Sequence, residues 1–115
     1  MGNFNWHERA AALQVDGRIV IDGQRRDALS GETFTCLSPI DGRTLGTVAR
    51  ARAEDVDAAV RSARTAFDSG RWAAKSPAAR KKVLLNFAER ILAAREELAL
   101  LETLDMGKPI QHSLG

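Results

Sequence analysis

Leu100-Leu101-Glu102-Thr103-Leu104-Asp105-Met106-Gly107-Lys108-Pro109-Ile110 reads as a helix and its stop, and the rest of the chain is placed by it. Leu98, Leu101 and Leu104 recur at helical spacing, Gly107 can take the left-handed conformation that closes a helix, and Pro109 prevents continuation. Lys108 lies where the negative end of the helix dipole favours a cation.

Upstream, the apolar striping runs back to Ser76. Ser76-Pro77 opens a helix with a good N-cap and a proline at the one helical position that tolerates it. Leu84, Leu85, Phe87, Ala88, Ile91 and Leu92 occupy more than half of its circumference, so it needs cover on two sides and keeps one exposed face. Arg95-Glu96-Glu97 marks either a kink or a brief interruption before the final helix, 96 to about 105.

Before Ser76, Val56, Ala59, Val60, Ala63 and Phe67 mark one face of a helix that begins at Glu54 and is ended by Gly70. Glu54, Asp55 and Asp57 sit in its first turns, where the dipole favours negative charge. Before Glu54 the apolar period is two. Ile19-Val20-Ile21 and Gln24 to Ala28 flank the turn signal Asp22-Gly23 and predict a hairpin. Thr33 to Leu37 predicts a strand, Ser38-Pro39-Ile40-Asp41-Gly42 breaks it, and 44–49 predicts another, weakened by Gly46. At the start, residues 4 to 14 predict a short helix with Trp6, Ala10 and Leu13 on one side, ending near Asp16-Gly17.

Composition narrows the class. With 44% apolar and 28% charged residues the chain is globular, and its 115 residues amount to about one small domain. A net charge of +2 gives no nucleic-acid footprint; the Arg80-Lys81-Lys82 cluster points in different directions on a helix and reads as a solvated face. Cys36 is the single cysteine, which excludes an intrachain disulfide. No apolar run approaches a membrane span, and Met1-Gly2 opens a myristoylation pattern that Trp6 breaks. A cytoplasmic protein without nucleic-acid or membrane partners is the expectation.

Chemistry is scarce. No Gly-x-Gly-x-x-Gly occurs, and Gly107-Lys108 fails as a phosphate loop because Glu102 and Pro109 stand where Gly and Ser or Thr are required. His7 and His112 lie far apart and no cysteine pair exists, so no transition-metal site is expected. Cys36, between Thr35 and Leu37, reads as a small buried side chain rather than a nucleophile. Asp105, His112 and Ser113 lie at a frayed end without a nucleophile elbow, and Trp72 reads as a packing anchor. No catalytic and no cofactor-binding residue is assigned.

The series of segments resembles the opening of the NAD(P)-dependent aldehyde dehydrogenases. Ile19-Val20-Ile21-Asp22-Gly23, the run from Gly31 to Gly42, the run from Asp55 to Phe67, Trp72, the Ser76-Pro77 helix and Leu-Glu-Thr-Leu-Asp-Met-Gly-Lys-Pro stand in family order. Trp6-His7-Glu8-Arg9-Ala10 and Ser-Gly-Glu-Thr-Phe lean toward the subgroup acting on gamma-glutamyl-gamma-aminobutyraldehyde and related aminoaldehydes of polyamine breakdown.

The resemblance implies an α/β parent fold, of which this chain is an α+β portion: an N-terminal helix, short antiparallel strands and two or three long helices. It implies a strand arm over 17–49, helices of the cofactor-binding domain over 53–106, and a homo-oligomeric parent. In that family a cysteine thiolate attacks the aldehyde, hydride passes to NAD(P)⁺ and a glutamate activates the hydrolytic water, all with later residues. The expectation is therefore a truncated N-terminal portion that is inactive and cofactor-free alone, with exposed apolar surface prone to aggregate. One site carries over: backbone carbonyls of Cys36 and Leu37, with Asp105, helping to hold a monovalent cation. The alternative is a stand-alone α+β interaction module without catalysis.

Overall fold

The computed structural model describes residues 5–115, so Met1, Gly2 and Phe4 lie outside the described residues. In chain order the elements are α1 (Trp6–Ala12), β1 (Ile19–Ile21), β2 (Gln24–Arg26), β3 (Thr33–Leu37), β4 (Thr44–Ala49), α2 (Ala53–Asp68), α3 (Pro77–Ala93), α4 (Arg95–Met106) and α5 (Ile110–Ser113). An N-terminal helix, two short hairpins and long helices make the expected α+β set. They sort into two compact units, one from residues up to 17 with 34–48 and 94–115, the other from 18–33 with 49–93.

In the first unit, Asn5 caps α1 by accepting hydrogen bonds from the backbone N–H of His7 (3.1 Å) and Glu8 (3.3 Å). The helix is shorter than its sequence pattern: Leu13 turns extended at φ −66°, ψ 127°, so the last residue is Ala12 and not Gln14. Trp6, Ala10 and Leu13 are nonetheless half-buried together, and Arg9 ties α1 to α4 through Glu96 at 2.7 Å. Past α1, Gly17 pairs with Val48 in a parallel bridge. A Cβ on Gly17 would stand 2.0 Å from the Thr47 carbonyl oxygen, so only glycine fits.

The tip of the β3–β4 hairpin closes with Ser38 N–H donating to Arg43 O at 2.8 Å and Gly42 N–H to Ser38 O at 2.9 Å. Gly46 does not break β4; a Cβ there would meet the Val15 side chain at 3.4 Å, an ordinary contact. α4 begins after Ala94, at φ −97°, ψ 9°, one residue before the expected interruption at 95–97. Its buried stripe is Ala99, Leu100 and Leu104, whereas Leu98 is 46% exposed, so the stripe is rotated from the expected Leu98-Leu101-Leu104 line. Gly107 stops it at φ 77°. The chain end is not frayed: Pro109 leads into α5, and Ser113 Oγ lies 2.9 Å from Thr103 Oγ1.

In the second unit, Asp22 (φ 53°) and Gly23 (φ 73°) form the two-residue turn between β1 and β2, with Ile19 opposite Arg26 and Ile21 opposite Gln24. Ile21 and Ala28 are its buried apolar residues, with α2 packed on β1. The face of α2 turned inward carries Asp55 and half-buried Ala58, Ala59, Ser62 and Ala66. Val56, Val60 and Phe67 stay 54–65% exposed, so most of the predicted apolar face of α2 points outward. On α3, which Ser76 Oγ caps by accepting Ala79 N–H at 3.2 Å, no residue is buried. Trp72, in the turn between α2 and α3, is 44% exposed.

Candidate functional site

The densest polar geometry lies in the first unit, where the end of β3 meets the end of α4. Cys36 Sγ donates to Asp105 Oδ1 at 3.4 Å. Two residues on, the fully buried Ser38 hydroxyl donates to Leu104 O at 2.9 Å and accepts Ile40 N–H at 3.3 Å. Gly107 lies against Pro39 and Ile40. The last carbonyls of a helix have no partner within it, and the Ser38 hydroxyl satisfies one of them.

This arrangement makes Cys36 a poor nucleophile. Its hydrogen bond to Asp105, its partial burial and the carboxylate's negative charge all push the thiol pKa up. The side chain is half-buried, where the sequence predicts a small buried one. The structure therefore brings Cys36 and Asp105 into contact, with Leu37 the next residue along β3 and 57% exposed. His112, by contrast, makes no bond to Asp105 or Ser113, and the Ser113 hydroxyl is held by Thr103 and Pro109 O.

A hollow of about 640 Å³ opens beside this junction, its apolar wall formed by Trp6, Ala10, Ile40, Leu100, Leu104 and Ile110. Asp41, which also lines it, accepts Arg43 N–H at 3.0 Å. Among the described residues no group of three His, Cys, Asp or Glu side chains converges on a metal position.

The second unit holds one polar cluster that the sequence did not reveal. Asp55, 2% exposed, accepts Leu29 N–H on Oδ1 and Arg52 N–H on Oδ2, each at 3.0 Å. The Arg52 and Leu29 backbone bonds, in that order, hold its carboxyl below the usual carboxylate range against the opposing effect of burial, with help from the Arg26 charge. Arg52 in turn pairs with Glu32 through two guanidinium nitrogens. The one sequence signal was an acid at the third helical position, the returning half of a capping box, without Ser or Thr at the cap. This cluster fastens the β2–β3 connection to α2.

Comparison with known proteins bears on what the chain is part of. A profile of the aldehyde dehydrogenase family matches residues 26–115. The NADP/NAD-dependent aldehyde dehydrogenase PuuC of Escherichia coli is 44% identical over 109 residues, covering 95% of this chain and 22% of PuuC. The crystal structure of AldA indole-3-acetaldehyde dehydrogenase from P. syringae with NAD⁺ and IAA superposes with a TM-score of 0.92 at 55% identity, over 96% of this chain and 22% of that one. Gamma-glutamyl-gamma-aminobutyraldehyde dehydrogenase from Burkholderia cenocepacia superposes with the same score at 53% identity, over 95% and 22%. The chain thus spans about a fifth of the length of these relatives.

Proposed function

The chain belongs to the aldehyde dehydrogenase family, and from that membership we infer that it forms the N-terminal portion of an enzyme oxidising an aldehyde to a carboxylate with NAD(P)⁺. The observation that carries this reading is the agreement of backbone and sequence with NAD⁺-linked dehydrogenases over nearly the whole chain. The substrate class is an aminoaldehyde of polyamine breakdown, supported by the Trp6-to-Ala10 and Ser30-to-Phe34 runs beside 53% identity to the gamma-glutamyl-gamma-aminobutyraldehyde enzyme, with the indole-3-acetaldehyde enzyme at 55% as its rival. The family resemblance makes the assembled enzyme a cytoplasmic homo-oligomer. Among the described residues no helix is long and apolar enough to cross a membrane.

Within that enzyme these residues are scaffold. Residues 17–49 supply a strand arm and 53–106 supply helices around the cofactor-binding domain. The only thiol, Cys36, has its pKa pushed up, so it is not the attacking thiolate. Backbone carbonyls of Cys36 and Leu37 with the Asp105 carboxylate contribute to a monovalent-cation site; a carboxylate at the end of a helix is a hard oxygen donor where the dipole already favours a cation.

The test is NAD(P)H formation by the gene product carrying these residues, with an aminoaldehyde and with indole-3-acetaldehyde as rival substrates. Faster turnover per unit concentration of the aminoaldehyde is expected. Preference for the indole substrate refutes the substrate class, and no oxidation of either refutes the functional reading. The 115 residues alone are expected to give no heat of binding with NAD⁺ or NADP⁺ in calorimetry. For the cation, Asp105→Asn is expected to abolish any rise in unfolding temperature on adding K⁺ or Na⁺.

A further inference from the structure

Two helices of the second unit carry apolar side chains that nothing in the described chain covers. On α2 these are Val56, Val60 and Phe67; on α3 they are Leu84, Leu85, Phe87, Ile91 and Leu92, each 43–69% exposed. A monomer ordinarily leaves no more than a few hundred Å² of contiguous apolar surface, and a helix apolar over more than half its circumference belongs in an interior. We propose that the apolar sides of α2 and α3 dock the remaining four-fifths of an aldehyde dehydrogenase chain. Those sides hold the larger body without a covalent link.

The occupant follows from three observations. The chain spans 22% of relatives whose remaining length exceeds it several times, so a body large enough to enclose a helix exists. The backbone matches those longer chains at a TM-score of 0.92, so the apolar sides are presented as they are where the remaining length is present. A second copy of this chain fits worse: a two-fold dimer presents one patch to its twin and covers one side of α3, where two sides need cover. The rim is suited to a specific interface, since Lys82, Glu89 and Arg90 border the apolar part of α3.

The proposal rests on the family reading above, and the experiment separates the two. The matching N-terminal part of the Escherichia coli relative is replaced by this chain, with a specific protease site at the join. After cleavage the two parts are expected to elute together in gel filtration and to keep NAD⁺-dependent aldehyde oxidation. With Leu85→Glu and Leu92→Glu together, the cleaved parts are expected to separate. Leu92→Ala, a milder truncation, is expected to weaken their association by about 10-fold. Asn86→Glu on the polar side should leave it unchanged.

Separation of the unsubstituted parts overturns the proposal, as does co-elution of the doubly substituted ones. Elution of this chain as its own dimer with the remainder free overturns it in favour of a second copy. Parts that stay together without aldehyde oxidation before or after cleavage support the docking surface while refuting the enzymatic reading.

Discussion

Replacing Ser38 by alanine tests the junction between β3 and α4. The Ser38 hydroxyl is 2% exposed and donates to Leu104 O at 2.9 Å, one of the carbonyls in the last turn of α4 that the helix itself leaves unpaired. Without the hydroxyl that buried oxygen loses this partner, at a cost of about 1–3 kcal/mol. The bond from Ile40 N–H, at 3.3 Å and only part-buried, adds a few tenths, roughly. The side chain is small, so the cavity contribution is slight. A loss of about 2 kcal/mol is expected, roughly a 30-fold shift of the unfolding equilibrium. Urea unfolding followed by circular dichroism reads it as a lower midpoint at unchanged slope. Ser30→Ala is the matched control, since Ser30 Oγ accepts Glu32 N–H at 3.2 Å in an exposed turn, and it should stay within about 0.5 kcal/mol. If the two variants share a midpoint, the Ser38–Leu104 bond does not hold the junction.

Gly107→Ala should cost about 1–2 kcal/mol in the same assay, through backbone strain at φ 77° and not through a clash, since its new Cβ would stand 3.6 Å from Pro39 Cγ. A loss much above that range would mean the tip of the β3–β4 hairpin is packed more tightly than these distances allow. The raised thiol pKa of Cys36 predicts slow alkylation by iodoacetamide at neutral pH, with Asp105→Asn speeding it by removing the bond and the charge. Equal rates in the two proteins would mean the Sγ–Oδ1 contact does not control the thiol. Asp55 binds its proton less readily in the folded state, so its contribution to stability is complete above the ordinary carboxylate pKa of about 3.9 and fades as pH falls through the lower folded value. Acid titration of Asp55→Asn should lack that part of the decline; an unchanged titration curve would refute it.

What the sequence revealed of this fold follows from how far apart the deciding residues lie. The β1–β2 hairpin was legible because its cause is local: two residues, Asp22 and Gly23, adopt positive φ between short runs that pair. The α4 stop was legible for the same reason at Gly107. The break at Ala94 was not, since alanine carries no breaking signal of its own and Arg95-Glu96-Glu97 drew attention one residue downstream. α5 is not legible in the sequence, because Pro109 carries the signal of a terminator. At φ −57°, ψ 137° it sits as a helix N-cap, and the next residues start again.

Faces of helices were legible in a narrower sense. Periodicity shows which residues of α2 are apolar, but it does not say which side this chain itself covers. Asp55 turns inward because Leu29 and Arg52 offer it backbone donors, and Leu29 lies 26 residues away. Val60 and Phe67 then point out. The site shows the same division: Ser38 and Leu104 are 66 residues apart, and no spacing rule connects them. Cys36 and Asp105 entered only through family resemblance, and their contact is a fact of the structure. The need of α3 for cover was legible in the sequence, because a circumference more than half apolar has one physical solution. The structure adds that the cover is not made by the described residues of this chain, which turns a statement about composition into one about a partner.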